Sequence, residues 1–396
     1  MDAPAEALVN LGTVRDNVTG LRRQAGGADV MAVVKSDAYG HGLIPVARAA
    51  LAGGADWLGV IRVDEALALR GAGLTAPVLC LMSVPGGPHE EAIRHDVDLG
   101  AGSAGMVAEI AAAAGRAGRP ARIHLKADTG MSRGGATMPD WPAVVAAALA
   151  AQAAGQVRVV GLWSHLACAD MPGHPSTDAQ IRVFREAVAL AERAGVRPEV
   201  RHLANTPATL TLPQTRFDLV RCGGGTVGLP TLPGPMPAWL RPAMTVRARL
   251  VQVKEVPPGA GVSYGHRYVT SSRSTLGLVP VGYAEGVPRD ASGLVQVYAR
   301  GRRWFISGTV SMNQFVVDFG PEPAGEGDEV LLFGPGDSGE PTAQDWADAV
   351  GTISYEIATG FGGRLPRSYF GVAFGDQPVP AGAGGERAGQ GSLPPA

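Results

Sequence analysis

"VMAVVKSDAYGHG", residues Val30 to Gly42, is an apolar run that ends on Lys35 and turns at once through small and polar residues. A short, valine-containing run bounded by turn residues reads as a buried β-strand. Its terminal lysine has two readings. It is either a solvated strand end or an amine held at a pocket mouth, where partial loss of water makes deprotonation easier. Outward from this stretch the pattern repeats. Further strands are expected at Trp57–Ile61, Val78–Ser83, Val97–Ala101, Arg122–Ala127, Val159–His165, Glu199–Asn205 and Asp218–Gly223. Helical segments such as Asp64–Arg70, Ser103–Arg116, Pro139–Ala154 and Ser176–Ala194 lie between them. Strand–helix alternation implies parallel βαβ units. Eight strands over roughly two hundred residues suit a (β/α)8 barrel, and a doubly wound open sheet fits the same alternation.

After the Pro-rich stretch "LPTLPGPMPAWLRP" (Leu229–Pro242) the texture changes. Alternating runs such as "RARLVQVKEV", "STLGLVPVGY" and "FVVDFG" are punctuated by Gly, Pro and Asp, the pattern of a mostly antiparallel β domain. The final "QPVPAGAGGERAGQGSLPPA" has nothing to bury and reads as disordered. The 396-residue chain has room for two domains, and its 45% hydrophobic and 18% charged residues provide a large core. A net charge of −2 argues against nucleic acid as a partner. Cys80, Cys168 and Cys222 are widely spaced, which fits a reducing compartment and neither a disulfide framework nor a metal site. No secretory signal or membrane-length apolar segment is evident, so a soluble cytoplasmic protein is expected.

The barrel reading can be tested against the polar residues, because such barrels place reactive groups at strand C-termini and phosphates after strands seven and eight. Lys35 ends strand one (Val30–Lys35), Lys126 lies near the end of strand five, and His165 ends strand six. Asn205 and Thr206 follow strand seven, and "RCGGG" (Arg221–Gly225) closes strand eight. Unhindered backbone N–H groups and a hydroxyl suit a phosphate, although a glycine run alone is equally a tight turn. Joined to a strand-one lysine, they suggest a phosphorylated carbonyl cofactor held as a Schiff base, and pyridoxal 5'-phosphate meets that demand.

"AVVKSDAYGHG", "HLKADTGMSRGG", "GVSYGHRY", "VPVGYAEG", "GTVSMNQFVVD", "GDEVLLFG" and "TISYEIATGFGGRLPRSY", in that order, resemble the motifs of the alanine racemase family. The resemblance implies a pyridoxal-phosphate barrel over residues 1–236, with the first ten or so residues also fitting the second unit. A β domain follows over 237–376, then a disordered tail over 377–396. It implies a homodimer with the active site at the interface, and interconversion of L- and D-alanine, supplying D-alanine for peptidoglycan. Lys35 would carry the cofactor and act on the D side, with Tyr264 of the partner subunit acting on the L side. Free tyrosine and lysine titrate near ~10, so both bases need tuning. A chain through His165, Arg221 and His202 would supply positive field to the tyrosine. Arg221 would face the pyridine nitrogen, and Arg133 the phenolic oxygen and the substrate carboxylate. Lys126, if carbamylated, would orient Arg133. Phosphate contacts would come from Tyr39, Asn205, Thr206, Gly223, Gly224 and Tyr355. Met312 of the partner subunit would meet the substrate carboxylate, and Tyr283 and Tyr355 would narrow the entrance.

Several positions depart from the family's common pattern. Thr206 replaces serine, Gly224 a bulky aliphatic, Cys222 a proline and Val227 a tyrosine, while Glu285 and Asn313 stand where aspartate is frequent. Loss of packing at Gly224 predicts looser cofactor retention, which Gly224→Ile should tighten. A racemase for serine or other small amino acids, a barrel-type pyridoxal decarboxylase and a cofactor carrier are the rival readings. The decarboxylase would favour an acidic partner for the ring nitrogen, and the carrier would lack the β domain.

Overall fold

The computed structural model describes residues 3–371. The expected disorder of 377–396 lies outside the described residues. Strand β1 (Ala5–Asn10) leads directly into the helix Leu11–Ala25, whose first turn is capped by Asn10 Oδ1 accepting from the Thr13 N–H at 3.1 Å. Eight parallel strands follow: β2 (Asp29–Val33), β3 (Trp57–Val60), β4 (Val78–Cys80), β5 (Val97–Ala101), β6 (Ala121–Lys126), β7 (Val157–Trp163), β8 (Val200–His202) and β9 (Leu219–Cys222). They pair in the order β8-β7-β6-β5-β4-β3-β2-β9. The seam between the two ends is bridged by Asp218 N–H to Arg201 O (3.1 Å) and Arg221 N–H to Ala204 O (3.0 Å). The sheet is therefore a ring, which excludes the open doubly wound alternative.

Most strands are shorter than the sequence suggests. Lys35, His165, Asn205 and Gly223, expected as strand ends, lie just beyond β2, β7, β8 and β9. Apolar character does not stop where ladder pairing stops, because buried connecting residues pack the same core.

Two cores share the ring. Outside it, alternate strand residues such as Val30, Ala32, Leu58, Ile123 and Leu125 pack under helices such as Ala104–Ala117 and Pro175–Ala194. Inside, Met31, Val33, Leu79, Val160, Val200 and Leu219 form a smaller apolar layer with Trp57. The ladder between β6 and β7 slips by one residue between Ile123 and His124, making Val160 the extra residue of a bulge.

The second unit is built on a six-stranded sheet. Its order is Arg302–Phe305, Gln296–Ala299, Glu329–Phe333, β10 (Met244–Arg249), β1, and Arg367–Phe370. All its pairings are antiparallel except that of β1 with Arg367–Phe370. A three-stranded antiparallel sheet joins Gln252–Val256, Ser274–Val279 and Phe315–Asp318. Phe333, Trp346 and Phe361 meet edge-to-face in its core with centroids 5.2–5.9 Å apart. Burying each such ring stabilises by roughly 1.5–3 kcal/mol. The Pro-rich stretch packs on the first helix: Arg241 N–H donates to Asn17 Oδ1 and Asn17 Nδ2 to Arg241 O, both at 2.9 Å. Among the described residues no helix is long and apolar enough to cross a membrane.

Candidate active site

Lys35 begins a turn that sequence composition does not announce. Ser36, Asp37, Ala38 and Tyr39 all have φ between 52° and 56°, one turn of left-handed helix made without glycine. Each such residue costs roughly 1–2 kcal/mol, so the surroundings must hold the turn in place. Glu65 accepts from the Ser36 N–H (2.5 Å) and, through its other oxygen, from Ile61 and Arg62 N–H (3.0 and 3.2 Å). Asp37 accepts from Leu43 N–H at 2.7 Å and pairs with Arg367 of the β domain. His41, buried and held neutral, bonds through Nδ1 to the carbonyls of Ala38 and Tyr39 (3.1 and 3.0 Å). Burial, then the neighbouring Arg133 charge, lowers the Lys35 ammonium below its ordinary value.

Across the ring mouth, Arg221 from β9 is buried. Its Nη2 donates to Ser164 O (2.7 Å), Leu203 O (3.2 Å) and His165 Nδ1 (3.2 Å), and its Nη1 to His202 Nδ1 (3.1 Å). Burial draws the guanidinium down to about 9, which leaves it charged at neutral pH. Because arginine only donates, His165 Nδ1 must be bare and its proton must sit on Nε2. Burial, followed by Arg221, pulls His165 down to about 3. Lys126, at the end of β6, lies 4.6 Å from the centroid of the Trp163 ring. Burial, then Arg133 and Arg221, lowers it to about 8. Arg133 itself sits on an exposed loop shaped by Asp128 Oδ1, which accepts from Gly130, Met131 and Ser132 N–H at 3.0, 3.0 and 3.1 Å. Two lysines and two arginines thus focus positive potential on one opening, the electrostatics of an anion site.

Just beyond β8 and β9, at the same end of the ring, a hydroxyl and backbone amides meet. Thr206 Oγ1 accepts from Gly223 and Gly225 N–H at 3.2 and 3.4 Å. A Cβ on Gly223 would stand 3.0 Å from Tyr39 Cζ, and one on Gly224 only 2.5 Å from Tyr355 Cζ, each nearer still to the phenol oxygen. Backbone amides and two phenols therefore converge where any side chain would intrude, a cradle that fits a phosphate. Tyr39 and Tyr355 stand edge-to-face at 5.7 Å, both phenols raised by burial. Tyr355 reaches the barrel from the β-domain helix Ser354–Gly360. These positions correct the expectation for Gly224: Tyr355 occupies the space, so Gly224→Ile overlaps a ring instead of filling a void. Asn205 uses its side-chain carbonyl to cap the helix Thr206–Thr211, accepting from Ala208 N–H at 3.3 Å.

Tyr264, Tyr283 and Met312 sit apart from this cluster, all exposed on the β domain, Tyr264 by 71%. Thr309 Oγ1 donates to Tyr264 O (2.9 Å), and Ala284 N–H to Met312 O (2.8 Å). Glu285 and Asn313 bond to each other, Nδ2 to Oε1 at 2.7 Å, so the two departures from the family pattern form one pair. Residues that sequence reasoning missed are Glu65, Gln180 and Trp163. Gln180 Nε2 donates to His165 O at 3.0 Å, and Trp163 lies flat on the His202 ring at 5.6 Å. Only Glu65 left a signal, as the acid three residues into the helix begun after Arg62.

Comparison with known proteins matches both units of the chain to one family. Residues 9–230 match the family model "Alanine racemase, N-terminal domain", and 243–369 match "Alanine racemase, C-terminal domain". The alanine racemase of Salinispora arenicola is 56% identical over 93% of this chain and 98% of that protein. That of Thermobifida fusca is 54% identical over 94% of this chain and 100% of its own length. The crystal structure of alanine racemase from D-cycloserine-producing Streptomyces lavendulae superposes with a TM-score of 0.91 at 52% identity, covering 94% of this chain and 98% of that one. That of Bacillus anthracis with bound L-Ala-P gives 0.85 at 32% identity, over 93% and 96%. With both halves matched in order and about half of all residues shared along nearly the full length, the chain belongs to the alanine racemase family.

Proposed function

We propose that this protein interconverts L- and D-alanine in the cytoplasm, using pyridoxal 5'-phosphate and working as a homodimer whose sites are completed across the interface. The observation that carries the reading is the joint placement of a half-buried Lys35 amine, the Thr206/Gly223–Gly225 cradle and the buried Arg221 guanidinium at one end of the ring. Lys35 would hold the cofactor's carbonyl carbon, the cradle with Tyr39 and Tyr355 its phosphate, and Arg221 its ring nitrogen. When bound, the cofactor supplies an electron sink that acidifies the α-proton of an amino acid joined to it.

The protein's own task is to move that proton from one face to the other, which needs two groups. Lys35, whose ammonium is weakened by burial, takes and returns it on the D side. Tyr264 of the partner subunit serves the L side. His165, with its proton on Nε2, can donate to that phenol's oxygen once the proton has left it. Exposure of Tyr264 and Met312 on a single chain supports a dimer that covers them. Arg133 and the backbone N–H of Met312 of the partner subunit would take the substrate carboxylate, with Tyr283 and Tyr355 limiting side-chain size. A guanidinium cannot accept a proton, so Arg221 keeps the ring nitrogen neutral, which disfavours the decarboxylase reading. D-alanine formed in this way would serve peptidoglycan synthesis.

Incubation of the cofactor-loaded enzyme with L-alanine in deuterated water tests this reading. The expected product is α-deuterated D-alanine. Release of carbon dioxide, or no label and no inversion, would overturn it.

A further inference from the structure

Behind Arg221 and His202, the barrel interior continues into a row of polar groups, Asp98, His124 and Arg122, that the reaction as described does not use. His202 Nε2 lies 2.9 Å from His124 Nδ1, and His124 Nε2 lies 3.1 Å from Asp98 Oδ2. Asp98 Oδ1 in turn accepts from Arg122 Nε at 2.9 Å. Asp98, His124, His202 and Arg221 are all buried. Beyond them Arg122 reaches Glu199 at 3.5 Å, at the end of the barrel where the strands begin. With Arg221 Nη1 on His202 Nδ1, the row runs unbroken from the opening to the far end.

The direction of every hydrogen bond in the row is fixed by its two ends. Arg221 can only donate, so His202 Nδ1 is bare. An imidazole keeps at least one proton, so that of His202 is on Nε2 and points at His124 Nδ1. That nitrogen must then be bare, and the His124 proton sits on Nε2, donating to Asp98. The carboxylate accepts at both oxygens and closes the row. No other assignment satisfies all four groups.

A barrel interior is ordinarily filled by layers of branched aliphatic side chains. A carboxylate buried there carries a desolvation cost that calls for dedicated partners. The fold makes room for this row at a specific place. A Cβ on Gly161 would stand 2.8 Å from His124 Cγ and Cε1 and nearer still to Nδ1. Gly161 directly follows the bulged Val160 and is the residue that pairs with His124. Trp57 meets the His124 ring edge-on at 5.6 Å, and Trp163 lies parallel to His202.

We propose that Asp98 and His124 are positioning residues for the racemase reaction: acting through His202, they fix the imidazole tautomers and thereby the orientation of the charged Arg221 guanidinium at the opening. This rests on the proposed function for what Arg221 faces, but not for the proton arrangement, which is a property of the chain alone. Asp98→Asn keeps the shape and breaks the logic. An amide offers one acceptor and one donor where Arg122 and His124 both donate, so one bond is lost and the row slackens. His124→Gln preserves the logic, because its amide can accept from His202 and donate to Asp98. His124→Phe removes both bonds.

Neutron diffraction from the deuterium-exchanged, cofactor-loaded enzyme is the direct test. Deuterium is expected on Nε2 of both His124 and His202, with Nδ1 bare. Deuterium on either Nδ1 would overturn the proposal, whether or not the enzyme racemises alanine. In kinetics, Asp98→Asn and His124→Phe are expected to lower kcat/KM in both directions by about 10–100-fold. His124→Gln should recover most of that loss. The visible absorbance of the bound cofactor should shift in the two impaired variants and not in His124→Gln, a difference that a merely structural role would not produce. Equal kinetics and unchanged spectra in Asp98→Asn, or equal impairment by Gln and Phe at position 124, would refute the proposal. If Asp98→Asn does not fold, the neutron map and the position-124 pair still decide.

Discussion

Tyr355 fills the space beside the Gly224 Cα: a Cβ there would stand 2.5 Å from Cζ of the phenol. In this structure the glycine leaves open the space that a β-domain tyrosine takes against the phosphate cradle. Gly224→Ile must displace the ring, and cofactor affinity is expected to fall by about tenfold or more, the equivalent of losing one good hydrogen bond or contact. Titration of the apoenzyme with cofactor checks this. Unchanged or tighter binding would contradict the close approach of Tyr355.

The left-handed turn after Lys35 depends on Glu65. Glu65→Ala leaves the N–H groups of Ser36, Ile61 and Arg62 without their acceptor. A loss of about 2–4 kcal/mol is expected, since each orphaned donor costs about 1–3 kcal/mol and some will find water. Chemical denaturation measures the stability, and the cofactor's imine absorbance should weaken in parallel. A variant with wild-type stability and absorbance would mean that the turn holds itself.

Much of the architecture was legible in the sequence, and the reason is physical. Ring strands buried on both faces read as short apolar runs, and polar groups gather at one end of them, so the positions of Lys35, His165, Thr206 and Arg221 at that end are legible in the residue order. The left-handed turn was not legible, because Ser36–Tyr39 contain no glycine or asparagine to mark a positive φ. Nor was the role of Gly224, which depends on a tyrosine over a hundred residues away. Asp98 and His124 read as ordinary strand positions, since alternation says which face a residue takes but not what waits inside a ring.

Lys126 should react with carbon dioxide. Its amine is drawn down to about 8, so the neutral, nucleophilic form grows as pH rises through that value. In 13C-bicarbonate, a carbamate carbon signal is expected in the wild type, stronger at pH 9 than at pH 7 and absent from Lys126→Ala. A bare amine at high bicarbonate would count against the modification and against its part in orienting Arg133.

Acid should destabilise the fold through its buried histidines. Burial lowers His41 from 6.5 to about 4 and His165 to about 3. The unfolded chain binds these protons near pH 6.5 and the folded chain refuses them, so the stability is intact above 6.5 and is lost as pH falls toward 3–4. His41→Asn keeps an N–H donor for the Ala38 and Tyr39 carbonyls but cannot titrate. Its stability should fall less steeply between pH 6 and 4.5, by about 1.4 kcal/mol per pH unit for the one missing proton. Identical slopes for wild type and variant would contradict the burial of a neutral His41.

In the proposed reaction, two groups on opposite faces, one from each subunit, divide the proton transfer. Tyr264→Phe in the cofactor-loaded dimer tests it most directly, with each enantiomer of alanine supplied separately in deuterated water. D-alanine should still exchange its α-hydrogen through Lys35 without inverting, while L-alanine should neither exchange nor invert. Exchange from L-alanine at the wild-type rate would show that the phenol is not the second base.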